Sequence, residues 1–272
     1  MDDVNTIEKP THLHVASRWR SGSWQKVEDE LAEEVPVSLE YNGISHAVML
    51  TTPSNLEEFA LGFSLSEGIV ASPKDCYAID VEYGTLGITL HITISNASFV
   101  KLKERRRNLV GRTGCGLCGT ESLEQVLRPL PKTTPNQQLS AKGIRCALNS
   151  LRGVQPLNRL TGGTHAAVWC KPDGEVCAGF EDIGRHNALD KLIGGMAKAN
   201  ISYQEGFVLI TSRASFEMVQ KAATMRIPAL VAISAPTALA VRTAKDCGMT
   251  LVAFARGEDF VCYANCTNIK LE

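Results

Sequence analysis

FVLITSRASFEMVQKAATMRIPALVAISAPTALAVRTAKDCGMTLVAFAR, residues 207–256, alternates between two textures. FVLIT, ALVAIS and TLVAFA are continuously apolar, while the longer segments between them mix small, polar and apolar residues as helices do. The pattern predicts strands over 207–212, 229–235 and 250–255, with helices over 215–226 and 237–247 between them. A strand that is apolar throughout must be covered on both faces. A strand that returns to its sheet through a helix pairs in parallel with the one before it. The fold class is therefore α/β. Function in such sheets gathers beyond the carboxyl ends of the strands, which here read TSRAS, SAPT and FARGED.

Working outward, a helix is expected over 184–198, preceded by a hairpin around Asp173-Gly174 in AAVWCKPDGEVCAGF. The first half has a different rhythm. PVSLEYNGISHAVML alternates on both sides of Asn42-Gly43, a strong hairpin signal. SNLEEFALGFSLSEG reads as a helix capped by Ser54, with Glu57 completing a capping box and Gly68 ending it. GITLHITIS places Ile88, Leu90, Ile92 and Ile94 on one face of a half-buried strand, and the basic helix SFVKLKERRRNLV follows. Pro129, Pro131 and Pro135 mark a linker. The expected organisation is an irregular polar lead-in over 1–32 and a smaller α+β subdomain over 33–110. After these come a mobile loop, short helix and proline-rich linker over 111–135, then the α/β domain over 136–272.

Of the 272 residues 44% are hydrophobic and 21% charged, an ordinary globular composition, and the formal net charge of -1 offers no global field for nucleic acid. No apolar run approaches the ~18–20 residues that span a bilayer. The acidic start MDDVNTIEKP lacks the apolar core of a signal peptide, so a reducing cytoplasm is the expected compartment. Nine cysteines cannot all pair within one chain, and the thiols are expected to be mostly free.

Cys115 and Cys118 lie in GRTGCGLCGTES, residues 111–122. Three chemistries suit such a pair. Structural zinc needs four ligands, and Cys170/Cys177 or Cys262/Cys266 would have to supply the rest without forming a tight knuckle. A thioredoxin-type pair should follow a strand and open a helix, whereas a helical segment precedes this one. A glycine-flanked dithiol loop also suits a carrier that moves between sites. Thr120 or Ser122 can cap a short following helix whose dipole favours a Cys118 thiolate, and Lys101, Lys103, Arg105, Arg106, Arg107 and Arg112 add positive charge upstream. That basic run reads equally well as a solvated helix face.

Other clusters flank the strands. In LTGGTHAAVW, His165 follows a glycine pair, but Ala167 stands where a deaminase-type zinc enzyme carries glutamate, so water activation lacks both acid and metal. Asp182, Arg185, His186, Asn187 and Asp190 crowd the start of a helix in EDIGRHNALDKLIGG, either as a cap with a Glu181/Asp182–Arg185 ion pair or as a ligand-ordering cluster. TSRASFEMVQKAA offers backbone N–H groups and Arg213 to an anion, and Arg256 in FARGED is placed to meet a phosphate or a base edge.

TPSNLEEFALGFSLSEGI, CGLCG, LTGGTHAA, EDIGRHNALDKLIG, SRASFEMVQKAA, SAPTALAV and TLVAFARG, in this order, resemble the formate dehydrogenase accessory sulfurtransferase family, FdhD/NarQ, from about Glu34 to Tyr263. The resemblance implies a cytidine-deaminase-like three-layer α/β/α domain without deaminase activity, and a homodimer. It implies a cytoplasmic sulfurtransferase that passes persulfide sulfur from a cysteine desulfurase to the molybdenum cofactor of the formate dehydrogenase catalytic subunit. It places the persulfide on Cys115 with Cys118 as its partner, and no resident cofactor or metal. The cofactor, bis(molybdopterin guanine dinucleotide), is implied to bind transiently through its guanine nucleotide end at Phe254, Ala255, Arg256, Gly257, Glu258 and Asp259, with a guanine nucleotide as a partial mimic. Two acids in that turn leave phosphate contact there to the backbone. Cys262 and Cys266 lie outside the pattern. The competing function is a molybdenum-cofactor escort whose cysteines are structural or bind metal.

Overall fold

The computed structural model describes residues 8–107, 129–134 and 138–270. Its first element departs from the irregular lead-in expected over 1–32. Thr11–Arg20 (β1) and Ser23–Ala32 (β2) pair antiparallel along their whole length. Ser21 and Gly22 turn the chain at φ of 50° and 87°, the type I′ geometry that matches strand twist.

Val35–Tyr41 (β3), Ile44–Thr51 (β4), Cys76–Gly84 (β5) and Gly87–Ile94 (β6) form a sheet in the order β4-β3-β6-β5. Asn42-Gly43 makes the expected hairpin, at φ of 45° and 81°. The Asn42 amide then clasps the backbone of Ile94 through bonds of 2.8 and 3.1 Å. Ile88, Leu90, Ile92 and Ile94 are buried as their alternation requires. The helix Leu56–Ser66 (α1) starts at Asn55 in a left-handed conformation, so Ser54 is not its cap. Asn96–Arg107 (α2) is the basic helix.

Leu139–Ser140 (β7) leads into Ala141–Ser150 (α3), whose N-cap Ser140 accepts from Gly143 N, and Pro156–Thr161 (α4) follows. His165–Cys170 (β8) and Val176–Asp182 (β9) are the Asp173-Gly174 hairpin. Next come Arg185–Lys198 (α5), Phe207–Ile210 (β10), Phe216–Thr224 (α6), Ala229–Ala232 (β11), Ala238–Cys247 (α7) and Thr250–Arg256 (β12). Asp259–Ala264 (β13) closes the sheet and Ile269–Lys270 (β14) pairs with β7. The order is β13-β12-β11-β10-β8-β9. β10, β11 and β12 are parallel, as their intervening helices demand, while β8 and β13 join antiparallel and make the sheet mixed.

Helices cover both faces. One apolar core holds Trp169, Val208, Ile210, Leu230 and Leu251 against α5, α6 and α7, and the other holds Val168, Leu209, Val231 and Val252 against Ile144 and Ala147 of α3. The first core runs on into Phe59, Phe63 and the inner face of the β3–β6 sheet, because α1 packs along α5. Glycines set that approach. A Cβ on Gly62 would sit 1.7 Å from the Asp190 carbonyl oxygen, and one on Gly194 would sit 1.9 Å from that of Glu58. Only hydrogen fits at either place.

Candidate functional site at the strand ends

Parallel strands bring their carboxyl ends to one edge, and short backbone links stitch the predicted segments together there. Ala214 bridges Pro236, joining the turn after β10 to the turn after β11. Phe254 N donates to Ser234 O at 3.2 Å, and Arg256 Nε donates to Ile233 O at 3.2 Å, which ties β12 to the same turn. Thr211 N donates to Ala166 O and Thr211 Oγ1 accepts from Ala166 N, so His165 at the start of β8 reaches this edge as well. TSRAS, SAPT, FARGED and LTGGTHAA therefore form one continuous rim. The amino ends of α5, α6 and α7 point to it, which adds the positive end of three helix dipoles.

Phe254 to Asp259 all lie in the β12–β13 hairpin. The ladder is irregular between Ala253 and Arg256, and Phe254 adopts φ of 51°. A left-handed conformation is uncommon for an aromatic residue, and a bulge of this kind re-aims the side chain. Phe254 is exposed, with the Tyr263 ring centroid 6.4 Å away. Arg256 is exposed beside it, Gly257 turns at φ of 57°, and Ala255 is buried in the α3-side core. Glu258 pairs with Arg145 of α3 at 3.1 Å.

The EDIGRHNALDK motif divides residue by residue. Asp182 is fully buried and pairs with Lys191 Nζ at 2.6 Å. It also accepts from Thr51 Oγ1, from Thr52 N and Gly184 N at 3.0 and 2.8 Å, and from the Asn187 amide at 3.0 Å. Glu181 accepts from Leu157 N and Asn158 N, the amino end of α4, and from Thr164 Oγ1. Asp190 meets Lys221 at 3.0 Å and Ser66 at 2.6 Å. These acids hold α1, α4, α5 and α6 together rather than facing a ligand, and their partners are not Arg185. Burial lowers the Lys191 pKa. The Asp190 carboxyl is raised to about 6 by burial, which outweighs the nearby Lys221 ammonium. Lys191 and Lys221, missed in the sequence, carry one usable signal: each sits in the middle of a helix among mostly small and apolar neighbours.

Arg185 and His186 behave differently. Among the described residues Arg185 Nε and His186 Nε2 are buried atoms without a hydrogen-bond partner, and Glu217 Oε2 stands 3.9 Å from His186 Nε2, beyond hydrogen-bonding range. Burial and then the Arg185 charge lower His186 to about 4, and the same causes lower His165. At neutral pH both imidazoles are uncharged acceptors or donors beside a fixed guanidinium. Arg213 is exposed at the end of β10.

Cys115 and Cys118, with Arg112, lie outside the described residues. Among the described residues the expectation of mostly free thiols meets one exception, a disulfide between Cys262 and Cys266. Cys76, Cys146, Cys170, Cys177 and Cys247 are free. Burial pushes the thiols of Cys76, Cys177 and Cys247 up and that of Cys170 up to about 12, which makes them poor nucleophiles. Among the described residues no group of three or more His, Cys, Asp or Glu side chains is placed to hold a metal.

The family model for FdhD/NarQ matches residues 32–270. The chain belongs to the FdhD/NarQ family. Relatives named Sulfur carrier protein FdhD include one from Variovorax paradoxus, 50% identical over 237 residues, covering 87% of this chain and 85% of its own. Another, from Cupriavidus necator, is 51% identical over 266 residues, covering 97% and 92%. A solved chain from Desulfotalea psychrophila, described as a candidate formate dehydrogenase accessory protein, superposes with a TM-score of 0.75 at 23% identity, over 96% of this chain and 99% of that one. The FdhD/NarQ match begins at the last residue of β2, so the ribbon lies almost wholly before it.

Proposed function

We propose that this chain is a sulfur carrier that takes persulfide sulfur from a cysteine desulfurase and passes it to the molybdenum cofactor needed by formate dehydrogenase, in the cytoplasm. The observation that carries this reading is identity of 50% and 51%, over most of both chains, to relatives named for sulfur carriage. The raised thiols of Cys76, Cys170, Cys177 and Cys247 make these four poor candidates for that chemistry, which supports Cys115 and Cys118 from the other side. We read the three-layer body as cytidine-deaminase-like, with Ala167 in place of the acid that deamination requires.

In the first step the Cys115 thiolate attacks the outer sulfur of the desulfurase persulfide. A bond forms between Cys115 Sγ and that sulfur, the persulfide bond breaks, and the desulfurase cysteine leaves as thiolate. In the second step the Cys118 thiolate attacks Cys115 Sγ. A Cys115–Cys118 disulfide forms and the outer sulfur departs as hydrosulfide to its molybdenum acceptor. Oxidation of two thiols balances the two-electron reduction of the transferred sulfur, and a thiol reductant resets the carrier. The strand-end rim is the surface for the substrate's guanine nucleotide end. Exposed Phe254 offers a ring face, Arg256 a charge, and Ala255 and Gly257 backbone alone.

The test is formate dehydrogenase matured in cells whose carrier bears Cys115→Ala/Cys118→Ala. The expected product holds its pterin cofactor without the added sulfur and is inactive. Active, fully sulfurated enzyme would favour an escort whose cysteines are structural.

A further inference from the structure

The Cys262–Cys266 disulfide has no part in the chemistry proposed above, and the turn that carries it is held without it. Cys262 lies in β13, and Cys266 opens a single turn of 3-10 helix, Cys266–Asn268, before β14. The Asn265 amide donates to Met249 O at 2.7 Å and to Ala244 O at 3.3 Å, and the Asn268 amide donates to Thr250 Oγ1 at 3.0 Å. Gln138 Nε2 donates to Thr267 O at 3.2 Å, and β14 pairs with β7 just beyond. A cross-link between residues four apart also removes little chain entropy, because that contribution grows with the loop it closes. The bond is free to open while the fold stays in place.

Its two sulfurs differ in access. Cys266 is exposed, whereas Cys262 is half-buried against the core on the α3 side. A nucleophile arriving from solvent therefore meets Cys266 Sγ, with Cys262 Sγ behind it as the leaving group. Cys262 Sγ lies 3.5 Å from Ala264 O, so a thiol released there has an acceptor at hand. The oxidation state selects the nucleophile. A disulfide sulfur is open to attack and a thiol sulfur is not, so free thiols such as Cys146 take no sulfur from hydrosulfide unless an oxidant is supplied.

We propose that Cys262–Cys266 is a second sulfur-holding site, loaded by free hydrosulfide rather than by a desulfurase. Hydrosulfide attacks Cys266 Sγ. A new sulfur–sulfur bond forms there, and the Cys262–Cys266 bond breaks. Cys262 leaves with the electron pair of that bond and takes up the hydrosulfide proton, while Cys266 keeps the added sulfur as a persulfide. The two electrons given up by hydrosulfide reduce the disulfide, so no other oxidant enters. Attack of Cys262 on Cys266 Sγ reverses the step and releases hydrosulfide. Two thiols so close in the chain face each other at an effective concentration of about 1 mM or more, and loading requires sulfide in that range. Hydrosulfide is also the form in which sulfur leaves Cys115 in the reading above. Its recapture by the same chain rests on that reading, whereas the exchange at Cys266 does not, and either can fail alone.

Trypsin releases residues 257–270, with both cysteines, as a peptide separate from that of Cys115 and Cys118. The full chain, kept free of oxygen and of desulfurase, is treated with sodium sulfide at about 5 mM, alkylated with iodoacetamide and digested without reductant. Peptide 257–270 is expected to gain one sulfur atom and two carbamidomethyl groups, with fragmentation placing the sulfur on Cys266. Without sulfide it is expected as the unalkylated disulfide. A disulfide that survives sulfide unchanged overturns the proposal. So does a doubly alkylated peptide with no added sulfur, which is plain reduction, or added sulfur found mainly on Cys262. Cys266→Ser leaves Cys262 a free thiol and is expected to lose the added sulfur completely. Sulfur retained on that variant would come from oxidised sulfide rather than from exchange, and would overturn the proposal as well.

Discussion

Two halves of one motif have opposite fates. Asp182, Asp190 and Lys191 are buried and paired, and with Gly62 and Gly194 they fasten α1, α5 and α6 into one body. Arg185 and His186, between them in the chain, keep buried nitrogens without partners next to the strand-end rim. The difference lies in what each side chain reaches. Helix α5 is buried nearly all round, so its polar residues must either find a partner inside or sit at its amino end, where the rim opens. The charges buried in the body are paired, while the Arg185 and His186 nitrogens beside the rim stay under-satisfied.

The seam is the place to break first. Gly194→Ala puts a methyl carbon 1.9 Å from the Glu58 carbonyl oxygen, and helix backbones cannot yield that far locally. The expected loss exceeds about 4 kcal/mol, seen as insoluble product or a collapsed circular dichroism signal, with Gly62→Ala as its mirror. Lys191→Met comes next. It strands the fully buried Asp182 carboxylate and is expected to cost about 3–5 kcal/mol in urea unfolding. Adding Asp182→Asn should recover part of that, because an unpaired buried charge is worse than none.

His186 sharpens the other side of the comparison. Its folded pKa of about 4 lies below the ordinary 6.5, through burial and then Arg185. Between those values the unfolded chain binds a proton that the folded chain refuses. Stability from this group is therefore complete above pH 6.5 and lost as pH falls toward 4, by on the order of 3 kcal/mol. His186→Gln should flatten that part of the stability profile, and a proton NMR titration should find the imidazole neutral at pH 5.5. The smallest effect belongs to the exposed face of the first sheet, where His91 meets Glu82 at 2.7 Å and Glu40 at 3.2 Å. Glu82, with Glu40, raises the His91 pKa. Glu82→Gln should lower that pKa toward its ordinary value and leave the melting temperature unchanged, since an exposed pair contributes little.

Much of the architecture was legible because burial writes itself into composition. FVLI, ALVA and TLVAFAR are buried on both faces and read as continuous apolar runs, and Asn42-Gly43 and Asp173-Gly174 announced their hairpins. The β1–β2 ribbon escaped because neither of its faces is buried against a core, so alternation had no single polar side to reveal it. Ser21-Gly22 between Trp19 and Trp24 was the signal available. The rim segments were legible as strand ends. The partners of Asp182 and Asp190 were not, because Thr51, Ser66 and Lys221 come from elements more than thirty residues away and meet them only through the packing of α1 and α6. Ser54 misled for a related reason: Asn55 takes the left-handed cap position that a capping box would have excluded.

The central claim is that Cys115 carries sulfur. Wild-type chain incubated with a cysteine desulfurase and free cysteine, then digested without reductant, should yield a peptide bearing Cys115 and Cys118 that is one sulfur atom heavier than its untreated form. Cys115→Ala should abolish the added mass. A wild-type peptide of unchanged mass, or undiminished sulfur uptake by the Cys115→Ala/Cys118→Ala chain, would contradict the account.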